Sequence, residues 1–495
     1  MVVFEALLCS CAVLVVVLIV LSVIGKVTSL SPPGPGGLPY IGQGLNFSVN
    51  SAHKQFTEWA KEYGDIVMFR MFGQPVVVLN NPDLIRKAFS AKDIKSSISD
   101  RPPSFIGQFV AGQYNDILFR KYDPLCADLK RVTIQVMYKT GASKAELEAL
   151  VSSEIQDYVS KISAAEGDVD IIESLQTTLC KLIGVLYTGK RLSTDDPSFQ
   201  AIADFDRAGN EIITPSVHLV LKVMPWLRHL PGYYGNLFDR TMQCKERLKR
   251  DLIQKEKEAG CGLISGLFEK QTTENWITDD MILGVAMDLI NTSTLTSRGV
   301  ISGVYFLLTH FPDVQDRIYQ ELIAVVGADR TPAVADMSMM PYTQACILET
   351  LRFQSHLPIT ATHTNLTDDV ELEGYHIPRG ASVYGNLWLV HHDDRVWSEP
   401  WKFKPERFLG ADGSLLHKDP SLQQMRYFMP FGEGHRSCMG VRVTYDRMFL
   451  FVTLLLQRHR LLPPAEGALP SSDPRDLVPG TVLQAPKFYC RIVPR

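Results

Sequence analysis

Residues 281–308, "MILGVAMDLINTSTLTSRGVISGVYFLL", contain no proline and are mostly apolar, so they read as a single long helix. Its middle, "NTSTLTSR" at 291–298, carries five hydroxyls and a single leucine, Leu295. Thr292 and Thr296, at i and i+4, share one helical face. Their hydroxyls either bond back to carbonyls of the preceding turn or hold water. Residues 145–350 are helical in pattern almost throughout. Around 50–90, "GQP" and "NNPD" punctuate a helix, two short strands and another helix, and a second strand-like patch lies at 370–390. The fold class expected is mainly α with small β-sheets, in one large domain without repeats.

The chain has 495 residues, 45% of them apolar and 21% charged, enough to bury a large core. A formal charge of -4 gives no reason to expect a nucleic-acid partner. Residues 2–25, "VVFEALLCSCAVLVVVLIVLSVIG", hold one charge, Glu5, and are long enough to cross a bilayer as a helix. They lack the basic start and cleavage site of a signal peptide and the arginines of a mitochondrial presequence. The expectation is an uncleaved anchor, with Lys26 and later basic residues on the cytosolic side. Residues 26–40, including "SPPGPGG", form a proline- and glycine-rich hinge, and the globular domain spans 41–495. Nine cysteines, at 9, 11, 126, 180, 244, 261, 346, 438 and 490, show no framework spacing, so a special cysteine must be special as a thiolate.

One candidate stands out. "FMPFGEGHRSCMGVRVTYDRMFLFVTLLL", 428–456, places Cys438 after a glycine loop and just before an apolar helix, where the helix dipole and free backbone N–H groups favour a thiolate. Phe431, Gly434, Arg436, Cys438 and Gly440 resemble the signature of the cytochrome P450 family, and other segments resemble it in the same order. These are "ILETLRF", "GYHIPRG" and "HHDDRVWSEPWKFKPERF". The resemblance covers roughly residues 30–495 and is to the membrane-anchored animal enzymes that oxidise steroids, fatty acids and foreign compounds.

The resemblance implies the family's fold, with haem b between a distal long helix and a proximal cysteine loop, preceded by one transmembrane helix. It makes Cys438 the axial thiolate on iron, with Phe431 and Gly432 around it and Arg436 on a haem propionate. Glu349, Arg352 and Arg407 become a structural ion-pair network. Where the family places a tryptophan and an arginine, this chain has Cys126 and Lys130, so only Lys130 keeps a positive charge for a propionate. His363 lies one residue from another propionate position.

The family's oxygen-activation turn, small residue, Gly, any residue, acid, Thr, Thr, falls on Thr292, Ser293, Thr294, Leu295, Thr296 and Ser297. Thr296 and Thr292 are then the catalytic hydroxyls, while Leu295 replaces the acid of the proton relay and can neither donate nor accept. A monooxygenase driven by NADPH-cytochrome P450 reductase, with cytochrome b5 as an additional donor, is the first reading. A haem-thiolate isomerase or dehydratase acting on a peroxide substrate is the second, and a catalytically weak haem- or lipid-binding membrane protein the third. Lys130, Arg131, Lys139, Arg442 and Arg447 are candidates for the donor's landing surface. The apolar substrate pocket draws on Phe105, Phe109, Ile290, Ser293, Leu357, Ile359 and Val482, each of which core packing also explains. In "VMPWLRHLPG", Trp226, Leu227 and Leu230 face lipid or core. The enzyme is expected at the endoplasmic reticulum membrane.

Overall fold

The computed structural model describes residues 30–90, 98–139, 144–416, 419 and 421–495. The anchor at 2–25 and the first residues of the hinge lie outside the described residues. Among the described residues, no helix is long and apolar enough to cross a membrane. The chain divides into two compact units.

The first unit comprises the described residues up to Pro102 together with Ile359–Val390 and Gly432–Ser437. Helix α1 (Ala52–Tyr63) precedes strands β1 (Ile66–Met71) and β2 (Gln74–Leu79), an antiparallel hairpin in the register Met71↔Gln74. Phe72 and Gly73 close it with φ of 50° and 79°, the two positive values that a tight turn matching strand twist requires. Helix α2 (Pro82–Phe89) starts where the Asn81 side chain accepts the Asp83 N–H and proline sits at the first turn. Strands β3 (Val370–Leu372) and β4 (Tyr375–Ile377) form a second hairpin, and β5 (Ser382–Gly385) adds parallel to β2. Phe56, Val67, Phe69, Val76 and Val78 make this unit's small core.

The second unit comprises Pro103–Pro358, His391–Phe431 and Cys438–Arg495. It is helical apart from a three-stranded sheet of Val169–Asp170, His459–Leu462 and Tyr489–Pro494. Its named helices are α3 (Pro124–Lys139), α4 (Ile171–Thr188), α5 (Pro197–Ile212), α6 (Asp279–His310), α7 (Pro341–Gln354) and α8 (Val441–Leu456). Helix α6 is the long apolar run. Thr278 caps it by accepting the Met281 N–H at 3.2 Å, and Pro312 opens the next helix. Its 32 residues extend about 48 Å and stay α-helical through the hydroxyl-rich turn. Residues 281–290 and 299–309 are buried, whereas Asn291, Thr292, Ser293, Leu295, Thr296 and Arg298 are half-buried. Between its ends, α6 leaves the core only along one side of the polar turn, where Thr294 and Ser297 remain buried.

Candidate functional site

In the second unit the cysteine loop is held by its own backbone. Cys438 N–H donates to the Phe431 carbonyl at 3.0 Å, and Gly440 N–H, at the start of α8, donates to Cys438 Sγ at 3.3 Å. Burial pushes the thiol above its ordinary pKa, while that N–H and the charge of Lys130 pull the other way. The helix-end donor is present and Cys438 is exposed, so the thiol is open to a metal that would take it as the thiolate. Lys130, half-buried on α3, therefore lies on the cysteine's side of its helix, and Cys126 is packed in the interior. The Phe431 ring meets Tyr445 edge-on, centroids 5.3 Å apart.

The first unit gathers a cationic cluster. Arg436 Nε donates to the Ser99 carbonyl at 3.0 Å, and Arg101 donates to the carbonyls of Thr362 and Ala361 at 2.7 and 3.3 Å. His363 is buried and stacks on Phe89, ring centroids 3.8 Å apart. Burial first, then the charges of Arg101 and Arg436, hold its pKa well below 6.5. Arg101 was not singled out in the sequence; the one signal was a charge set among Ser99, Pro102 and Pro103. Gly432 and Gly434 have φ of 70° and 74°, and a Cβ on Gly434 would sit 2.0 Å from the Phe89 carbonyl oxygen. Gly434→Ala is therefore expected to cost about 2–4 kcal/mol from left-handed strain plus the clash, read as a lower thermal midpoint and reduced haem content.

Glu349, Arg352 and Arg407 come together in the second unit. Arg352 forks onto Glu349 at 2.7 and 2.8 Å and reaches the His391 carbonyl at 2.8 Å, and Arg407 Nε donates to Glu349 at 3.0 Å. Nothing in this network faces outward to a reacting atom.

On α6, Thr292 donates to the Asp288 carbonyl at 2.7 Å and Thr296 to the Thr292 carbonyl at 2.6 Å. Thr294 faces the other way, donating to the Ile290 carbonyl at 2.8 Å and to buried Asp206 on α5. Gln176 and Asn210 also donate to Asp206, and Arg298 donates to Gln176 at 2.8 Å. Half of the polar turn therefore ties α6 to α4 and α5. Ser293 accepts from Arg447 on α8 at 3.1 Å.

One sequence expectation, Arg447, needs correction, and two open readings are narrowed. Ile290 lies wholly buried in the core cluster, because it shares the face of Thr294 rather than that of Thr292 and Thr296. Arg447 is 5% exposed and cannot belong to a surface for an electron donor. Leu227 turns inward onto the cluster of Phe105, Ile212 and Leu237, leaving Trp226 and Leu230 exposed. Of the other basic candidates, Arg131 pairs with Asp128 at 2.9 Å and Arg442 lies 3.8 Å from Asp446; the Lys139 side chain is outside the description. Phe105 and Phe109 pack with centroids 5.0 Å apart, Val482 is buried in the second unit, and Leu357 is half-buried there. Ile359 packs in the first unit.

The family profile described as Cytochrome P450 matches residues 32–491. Vitamin D(3) 25-hydroxylase of Sus scrofa is 28% identical over 453 residues, 89% of each chain. Cytochrome P450 2D27 of Mesocricetus auratus is 29% identical over 93% of each chain. Cytochrome P450 1A1 of Rattus norvegicus is 30% identical over 86% of this chain and 84% of its own. The chain belongs to the cytochrome P450 family and is an oxidoreductase of that class, whose members bind haem b through a thiolate. The residues present fit that group. Cys438, at the start of α8 with the Gly440 N–H on its sulfur, is the thiolate donor the group needs.

Proposed function

We propose that the chain is a monooxygenase that inserts one oxygen atom from O2 into an apolar small molecule of the steroid, fatty-acid or xenobiotic type. Its electrons come from NADPH-cytochrome P450 reductase, and it works at the endoplasmic reticulum membrane with its catalytic domain facing the cytosol. The carrying observation is the Cys438 thiol at the head of α8, held by Phe431 and Gly440 and facing the charge of Lys130. Haem b, when bound, supplies dioxygen activation and oxygen insertion. Cys438 is its ligand. Lys130, Arg436 and His363 would hold its propionates. Thr296 and Thr292 handle protons on the distal side: each hydroxyl donates to a helix carbonyl and keeps its oxygen as an acceptor.

The apolar substrate class is supported by the aromatic pair Phe105 and Phe109 and by a relative named as a vitamin D(3) hydroxylase. Membrane contact is supported by Val223, Met224, Trp226, Leu230 and Tyr233, exposed together around the short helix Pro225–His229. A second reading, isomerisation or dehydration of a peroxide substrate, is favoured by Leu295 and by the commitment of both threonine protons to backbone carbonyls.

Turnover with NADPH and reductase, set against turnover with a lipid hydroperoxide alone, separates the two. NADPH-dependent hydroxylation supports the monooxygenase; hydroperoxide rearrangement without NADPH consumption overturns it. Leu295→Glu, which restores an acid to the turn, is expected to raise NADPH-driven product about tenfold and to lower peroxide release.

A further inference from the structure

Arg447 is a buried charge that the mechanism above does not use. It sits on α8 nine residues after Cys438, 5% exposed, and among the described residues its single hydrogen bond is to Ser293 Oγ at 3.1 Å. No carboxylate pairs with it among those residues. A guanidinium buried without a carboxylate is costly, and a lone serine hydroxyl offsets little of that cost. Burial lowers its pKa to about 10, which still leaves it charged at neutral pH.

Its partner is equally distinctive. Thr292, Thr294 and Thr296 each donate to a carbonyl of the preceding turn. Ser293 makes no such bond among the described residues; its oxygen receives the arginine N–H, and its own proton is left for another acceptor. Ser293 and Thr296, three residues apart, are neighbours on one helical face. Thr296 Oγ, whose own proton goes to the Thr292 carbonyl, has a free lone pair to receive one.

We propose that Arg447 is a positioning residue for proton handling at this turn. By donating to Ser293 Oγ it fixes the Ser293 proton toward Thr296 Oγ, directly or through one water, and so supplies the donor that Leu295 cannot. In the relay, Thr296 would pass its proton to the oxygen being reduced, the Ser293 proton would replace it on Thr296, and a solvent proton would replace that of Ser293. Arg447 stays protonated throughout, and its charge makes the serine hydroxyl the stronger donor. This rests on the monooxygenase reading of Thr296.

The test uses the full-length haem protein with NADPH and reductase. Arg447→Met, Arg447→Lys and Ser293→Ala are compared for hydrogen peroxide released per NADPH, solvent deuterium isotope effect, reduced-CO spectrum and thermal midpoint. Arg447→Met and Ser293→Ala are expected to raise the peroxide share about tenfold and enlarge the isotope effect, with Arg447→Lys in between. The CO spectrum stays unchanged, and the double variant is no worse than either single in peroxide share or thermal midpoint. A purely structural Arg447 would lower the midpoint and leave the peroxide share alone, and that result overturns the proposal. If Arg447→Met does not fold, Ser293→Ala decides, since it removes one oxygen. Wild-type-like coupling in Ser293→Ala overturns this inference alone, whereas a wild-type protein that consumes no NADPH and rearranges hydroperoxides overturns the monooxygenase reading with it.

Discussion

Cys438→Ser abolishes the red-shifted absorption of the reduced protein with carbon monoxide and lowers turnover by about 100-fold or more, beyond what loss of an outer-shell contact does. The reasons are local. A serine hydroxyl is a hard, weakly acidic donor that does not replace a thiolate on iron. The loop itself survives the change: the backbone bond from residue 438 to the Phe431 carbonyl does not involve the side chain, and a serine oxygen accepts the Gly440 N–H that Sγ now takes. Loss of the band with an unchanged circular dichroism spectrum is therefore the expected pair of results. A red-shifted band retained by the variant would move the iron ligand away from Cys438.

What the sequence made legible was what is local. The cysteine loop is contiguous, so its glycines, phenylalanine and cysteine read together, and the hairpin at 66–79 declares itself through its turn. Glu349 and Arg352 are one helical step apart. Contacts between distant segments were not legible. Thr294 and Asp206 meet across 88 residues, and no pattern within either helix announces that half of the hydroxyl turn is structural. The parallel pairing of β2 with β5 joins Val76 to Ser382.

Arg447 is a different kind of miss, because a signal was present. It is followed by "MFLFVTLLL", nine residues with one polar side chain, and a helix apolar on every side is buried. Counting it as a surface cation gave more weight to its charge than to its neighbours. Ile290 was open to pocket or core in the sequence, and the core holds it, since a shift of two residues from Thr292 points its side chain to the opposite face.

The largest loss of stability is expected at Glu349. Its side chain is fully enclosed, as is that of Arg352, and Arg407 is 8% exposed. Oε1 accepts from Arg352, Arg407 Nε and the Lys404 N–H, and Oε2 accepts from Arg352 Nε. Glu349→Ala removes the one anion and leaves two guanidiniums facing each other without water, so the cost is at least the about 3–5 kcal/mol of breaking a buried pair. That is a large part of the stability of an ordinary domain, and the variant is expected to accumulate without haem or not at all. Arg352→Ala leaves Glu349 with Arg407 and the Lys404 amide, so it costs less than Glu349→Ala. Arg407→Ala costs least, because its remaining donors go to the carbonyls of Ser398, Glu399 and Lys402 near the surface, where water takes their place. Thermal unfolding midpoints in the order Arg407→Ala above Arg352→Ala above Glu349→Ala check this, with the reduced-CO band as the measure of haem retained. If Arg407→Ala proved the most damaging, the anion would not be the keystone, and the network's stability would lie in the loop carbonyls that Arg407 gathers.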